Sequence, residues 1–294
     1  MLCAFLGIAL IIRNKERKKK MDISRITAAI WPWGTETREQ MELAAQQVSA
    51  IGYKSFESVK RAIYAFDMDL DAYKEVLKRY DLTPASFYFH LPEKNVDQEI
   101  FGNIDRELDF IANLDVKRVC LQATYSRPEG GMDEAKKEYE LGLIMKFAQA
   151  SKKHGITTNL HPHHNTWVMY EDEIDYMMQN SDPKILSFAP DTAHIVAGLG
   201  DPVEIIKRYA DRVNFTHFKD IKNADVKSEG LASAGMEVYS NFCELGQGCV
   251  DFKTIFGILK EHNYDGPLCE ELDQAPISNE LSAKNNFEFL KNNY

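Results

Sequence analysis

The sequence predicts an α/β fold of the (β/α)8 barrel class, built as a single domain, on three observations. From Arg25 onward, short apolar or β-branched runs alternate with longer amphipathic segments, the pattern of parallel βα units. The strand-like runs number eight. The late runs end, one after another, in carboxylate or imidazole side chains, and converging strand ends are what a barrel supplies at its mouth.

The strands are expected at 26–30, 54–57, 83–89, 118–122, 156–160, 185–189, 213–217 and 267–271. The segments between them carry apolar stripes at three- and four-residue spacing. Examples are Met41, Ala44, Ala45, Val48 and Ile51, and then Ile104, Leu108, Ile111 and Leu114, which read as helices returning the chain to the next strand. Gly52 and Gly155 read as helix stops. Asp201-Pro202 reads as a cap followed by a first-turn proline, and Asp251 as the cap of a helix starting near Lys253. The connection at about 220–248 is much longer than an ordinary βα loop. It is expected to be a lid or specificity loop, or alternatively a surface insertion used for oligomer contacts.

Of the 294 residues, 44% are hydrophobic and 27% charged, enough for a sizeable core without suggesting disorder. A net charge of -10 repels a phosphate backbone, so no nucleic-acid partner is expected. Five scattered cysteines with no C-x-x-C pair indicate neither a disulfide framework nor a thiolate zinc site and fit a reducing cytoplasm. Residues 2–12 form an apolar run followed by RNKERKKK, too short to cross a bilayer and with its charge on the wrong side for a secretory signal. Residues 1–20 are therefore expected to be a non-structural leader or an upstream start before Met21, the barrel occupying 21–294. A weak membrane anchor with the body on the cytoplasmic side is the other reading.

The densest chemistry is His161-Pro162-His163-His164 after the fifth strand, followed by Asp191 with His194, then His217, then Glu270 and Glu271. Singly, each histidine reads as a hydrogen-bonded core residue; their succession at strand ends is what points to a metal. Asp191, His217 and Glu271, with His161 or His163, make a mixed oxygen and nitrogen set that suits Mn²⁺, Mg²⁺, Co²⁺, Fe²⁺ or Zn²⁺. Glu270 and Glu271 lie on opposite faces of a strand, so only one faces the mouth. Trp31 and Trp33, after the first strand, offer either an apolar wall for a sugar ring or packing. His163 is a candidate base, two residues from His161 and on its face if the strand continues.

In order, His161-Pro-His163-His164-Asn-Thr166, Asp191-Thr-Ala-His194, His217-Phe-Lys219-Asp220, Gly246-Gln-Gly248, Val250-Asp251-Phe252, Tyr264-Asp-Gly266 and Glu271 resemble the xylose isomerase-like TIM barrel superfamily. The nearest pattern is its sugar isomerase/epimerase and inosose dehydratase branch. The likeness runs from about residue 25 to the C-terminus. It implies a divalent ion, manganese first, held at His161, Asp191, His217 and Glu271, the last also a catalytic carboxylate. Many relatives carry a carboxylate where His161 stands. The resemblance further implies a substrate-oxygen contact at His194, a charge-neutralising lysine at Lys219, and a glutamate at Glu57 that binds a sugar hydroxyl or orients a ligand. His164 is expected to be structural or to support a ligand.

The chemistry this implies is removal of a proton α to a carbonyl of a small keto-sugar or keto-polyol, with the resulting enediolate stabilised by the ion. Isomerisation, epimerisation and dehydration all follow from that step. Elimination from 3-keto-glycosides, C-glycosides included, is the neighbouring lyase chemistry; a catalytically silent sugar-binding barrel is the non-enzymatic alternative. Barrels of this kind commonly pair, so a homo-oligomer is expected to be possible. No stable membrane insertion is expected.

Overall fold

In the computed structural model, residues 21–222 and 236–294 are described; the expected leader at 1–20 and residues 223–235 of the long loop lie outside them. The barrel strands are β1 (Ile26–Ala29), β2 (Ser55–Val59), β3 (Thr83–His90), β4 (Arg118–Gln122), β5 (Thr157–His161), β6 (Leu186–Phe188), β7 (His217–Phe218) and β8 (Leu268–Glu270). They pair in parallel in sequence order from β1 to β6, while β8 joins β1 to β7. Parallel bridges Phe188 to Val213 and Asp191 to His217 close the ring. The eight expected strands are therefore all present. The seventh is shorter than the expected 213–217, holding Val213 by a single bridge.

Helices cover the outside, and their ends form as the local sequence dictates. Thr37 and Gln40 make a reciprocal capping box before the helix Arg38–Ile51, and Gly52 at φ 120° ends it. Asp201 caps Pro202–Arg208, and Asp251 caps Phe252–Glu261, one residue earlier than expected. Among the described residues no helix is long and apolar enough to cross a membrane.

Strand residues alternate between two environments. Val119, Leu121, Leu160 and Phe188 join the large apolar core under the helices. Ala29, Cys120, Ala189, Phe215 and Cys269 form a small cluster of their own, beside buried polar residues such as Thr27, Ser55, Glu57, Ser86 and Asn159. The inward positions at the C-terminal strand ends are the ones that carry chemistry.

The long excursion after β7 begins and ends in a pinched neck. Asp220–Ile221 and Phe242–Cys243 pair as a short antiparallel ribbon. The Asp220 carboxylate accepts N–H groups from Ile221 (2.9 Å), Gly246 (2.9 Å), Gly248 (2.8 Å) and Val250 (3.2 Å). Gly248 is required there, because a Cβ would lie 2.2 Å from Asp220 Oδ1 and 2.3 Å from the Ile221 carbonyl.

Candidate active site

Inward residues near the ends of β2, β5 and β7 (Glu57, His161 and His217) meet inside the barrel mouth. His217 Nε2 donates to the Glu57 carboxylate in a short contact, with both side chains fully buried. That bond fixes the ring so that Nδ1 faces inward, 2.7 Å from His161 Nδ1 and 3.2 Å from Glu271 Oε2. Burial lowers the His217 pKa, but the Glu57 and Glu271 carboxylates outweigh it and push it up to about 9. Asp191 caps the short helix Thr192–Ala197, its Oδ1 accepting the His194 N–H at 2.8 Å. This leaves Asp191 Oδ2 pointing at the cluster.

Several polar atoms here are buried without a hydrogen bond: Asp191 Oδ2, Glu271 Oε2, Glu57 Oε1 and His161 Nε2. Donor atoms of His161, Asp191 and His217 lie within 4.8 Å of one another, as do those of Asp191, His194 and Glu271. Buried carboxylate oxygens without a hydrogen bond are costly; among the described residues, Asp191 Oδ2 has only the Lys219 ammonium at 3.5 Å and Glu271 Oε2 only His217 Nδ1 at 3.2 Å beside it. The donor set therefore fits the divalent ion that the sequence led us to expect.

Beside this cluster lies a cavity of about 220 Å³, lined by Trp31, Tyr88, Gln122, His163, Glu271 and Asp273, with Lys60, Arg61 and His90 toward its rim. Its size suits one small molecule rather than a polymer. Trp31 leans on Tyr88 at 5.7 Å between ring centroids, and Tyr88 stacks over His217 at 6.0 Å. The Tyr88 hydroxyl donates to Gln122 Oε1 at 2.6 Å.

His163 reaches the cavity by a different route from the expected one. β5 stops at His161, and after Pro162 the chain turns, the His163 N–H bonding to the Val168 carbonyl at 3.1 Å. The ring nevertheless sits 5.8 Å from His161 and 3.7 Å from His194. Its Nδ1 donates to the His164 carbonyl at 2.6 Å, so the neutral ring keeps its lone pair on Nε2. Burial pushes its pKa down to about 3. His164 itself contributes through its main chain: besides that carbonyl, its N–H donates to His194 Nδ1 at 3.3 Å.

Four expectations need adjustment. Trp33 does not face the cavity: its indole donates to Gln47 and packs in the outer core, near Glu270 and Ala283, because the 3-10 turn Trp31–Trp33 directs the two indoles differently. Glu57 lies beneath His217 rather than at the cavity wall, which favours orienting a ligand over binding a hydroxyl. His194 is buried between His163 and Lys219, behind the wall. Lys219 is also fully buried, its Nζ touching Glu271 and lying 2.8 Å from Asp273, and it is not among the residues that line the cavity.

Glu270 and Glu271 separate as strand alternation requires. Glu270 turns outward to Tyr53 (3.0 Å) and Asn286 (2.7 Å), whereas Glu271 enters the mouth. The sequence reading missed Asp273, Tyr88, Gln122 and Tyr239. Tyr239 comes from the returning arm of the long loop and lies 6.5 Å from His163.

The profile of the family described as "Xylose isomerase-like TIM barrel" matches residues 45–293. An inosose dehydratase of Clostridium beijerinckii is 28% identical over 255 residues, covering 80% of this chain and 83% of that protein. Among solved structures, the probable 3-DHS dehydratase AsbF of Bacillus anthracis superposes with a TM-score of 0.73 at 15% identity, over 92% of this chain and 99% of its own. An IolI protein solved with a zinc atom gives 0.73 at 15% identity, over 90% and 96%. The curated relatives are sugar-modifying enzymes, and this chain belongs to the xylose isomerase-like TIM barrel family.

Proposed function

We propose that this chain is a divalent-metal-dependent enzyme that abstracts a proton α to the carbonyl of a small keto-polyol or keto-sugar, with dehydration as the outcome. The observation that carries the reading is His163: its Nδ1 is committed to the His164 carbonyl and its ring lines the cavity, leaving Nε2 as a proton acceptor. His161, Asp191, His217 and Glu271 would hold the ion, and the orphaned oxygens of Asp191 and Glu271 support that assignment. When bound, a divalent ion supplies Lewis-acid polarisation of a carbonyl oxygen. Manganese is our first choice for this set of two imidazoles and two carboxylates, with Co²⁺, Mg²⁺, Fe²⁺ and Zn²⁺ as alternatives.

His163 takes the α-proton and returns it to the departing β-hydroxyl, so that one C–H and one C–O bond break, a C=C bond forms and water leaves. Trp31 and Tyr88 offer apolar surface to a ring, and Gln122 and Asp273 offer polar contacts to its hydroxyls. The dehydratase relatives support this outcome. Isomerisation or epimerisation is the second reading, favoured by Glu271 lining the same cavity as His163. Elimination from a 3-keto-glycoside would use the same first step.

The test is a panel of keto-polyols, keto-sugars and 3-keto-glycosides in deuterated water with manganese-loaded protein. Deuterium wash-in at the α-carbon together with loss of water is the expected result; wash-in with a change of configuration favours the second reading. A metal-loaded protein that gives neither exchange nor elimination is a silent sugar-binding barrel, and the proposal fails.

A further inference from the structure

Two donor sets overlap at Asp191, but they are not equivalent. Lys219 is ion-paired to the set of His161, Asp191 and His217 at Asp191 Oδ2, 3.5 Å away. His217, whose pKa the Glu57 and Glu271 carboxylates raise against the lowering by burial, gives up its Nδ1 proton to serve there as a ligand. At the centre of the set formed by Asp191, His194 and Glu271 sits the ammonium of Lys219, 3.5 Å from Asp191 Oδ2, 3.1 Å from His194 Nε2 and in contact with Glu271 Oε1. Asp273 closes the outer side at 2.8 Å, and the Phe242 ring lies 4.8 Å away. The lysine is fixed in this place by its main chain, which accepts from the Thr192 hydroxyl at 2.6 Å and donates back to it at 3.0 Å. It is fully buried, so water does not screen it.

We propose that Lys219 is a tethered cation standing in the second position, so that each chain binds a single divalent ion and the ammonium competes with it for Asp191 and Glu271. The inference rests on the metal centre proposed above. Charge is compatible with it: Glu57, Asp191, Glu271 and Asp273 face one ammonium, a net of three negative charges that one divalent ion reduces to one. Lys219 thus occupies the second position without being a metal ligand, and Asp273 is its outer counter-ion, sharing the ammonium with Glu271 and Asp191.

Removing the ammonium should strengthen metal binding, the opposite of what the loss of a merely structural contact does. The experiment is equilibrium dialysis of the full chain against Mn²⁺, with metal content measured per chain, for wild type, Lys219→Met and Asp273→Asn, each checked by its melting curve with and without metal. Wild type should bind one ion. Lys219→Met should bind Mn²⁺ at least about tenfold more tightly or take up a second equivalent, because a like charge close to the ion has gone. Its metal-free form should melt lower, and added Mn²⁺ should raise its melting temperature more than that of wild type.

Should Lys219→Met fail to fold, Asp273→Asn carries the test. Without its outer partner the ammonium draws harder on Asp191 and Glu271, and Mn²⁺ affinity should fall at least about threefold. Two ions in wild type, a folded Lys219→Met that binds one ion no more tightly, or a folded Asp273→Asn that binds no more weakly would each overturn the inference while leaving the metal centre in place. No bound ion in wild type overturns both.

Discussion

Glu57→Gln is the sharpest probe of how the metal ligands are held. The substitution keeps the shape of the side chain, and an amide oxygen still accepts from His217 Nε2, so the ring orientation survives. The charge does not. Glu57 and His217 are both fully buried, so no water replaces the lost carboxylate, and the imidazole becomes a poorer electron donor at Nδ1. Partners of this kind are worth about 10–100-fold in metal affinity. Complete burial places the expected loss at the middle of that range or above, about 30-fold or ~2 kcal/mol. Glu57→Leu should cost more, since it leaves the Nε2–H buried without a partner, a further ~1–3 kcal/mol. Mn²⁺ competition against a fluorescent chelator reads both. A Glu57→Gln protein whose affinity stays within about threefold of wild type refutes the reasoning. If only KM moves, Glu57 binds substrate instead.

His163→Gln should lower kcat by about 10²–10⁴-fold while metal content stays at the wild-type level; unchanged turnover removes His163 as the base. Burial raises the Glu140 carboxyl from 4.5 to about 7, against lowering by the Thr124 N–H and hydroxyl that it accepts. A carboxyl raised on folding costs stability once it ionises, so wild type should lose up to about 3 kcal/mol relative to Glu140→Gln as pH rises from about 4.5 to 7; parallel denaturation curves across that range would contradict this. Gly198→Ala puts a methyl carbon 2.3 Å from the Met169 carbonyl and should destabilise by about 1–3 kcal/mol, read as a lower melting temperature. An unchanged melting temperature would mean that this contact relaxes freely.

The strand ends were legible because a barrel gives them a rule: alternation, then convergence. Asp191 and His217 follow it, and it lets only one of Glu270 and Glu271 face the mouth, the resemblance choosing Glu271. Gln122 obeys the same rule, ending β4 in register with His161, and a stricter application would have found it. Tyr88 was hidden inside a strand of ordinary β-formers. Asp273 was beyond reach, since it follows β8 in a loop with no period or motif and gains meaning only when Lys219 is seen against it. The two tryptophans, read together as a wall or as packing, divide between the two: this segment is a 3-10 turn, which sends Trp31 to the cavity and Trp33 into the core. His163 does reach the cavity, but not along a continued strand, because β5 ends at His161 and Pro162 turns the chain.

The Asp220 neck ties the long loop to the barrel. One carboxylate binds both the outgoing chain at Ile221 and the returning chain at Gly246, Gly248 and Val250, while the Lys222 N–H meets the Asn241 carbonyl at 2.9 Å. Closure is therefore secured at the base, and each doubling of the length above it costs only about 0.6 kcal/mol. Asp220 follows Lys219 directly, so the carboxylate that ties the two arms together also anchors the strand end that carries His217, and its loss should loosen both at once.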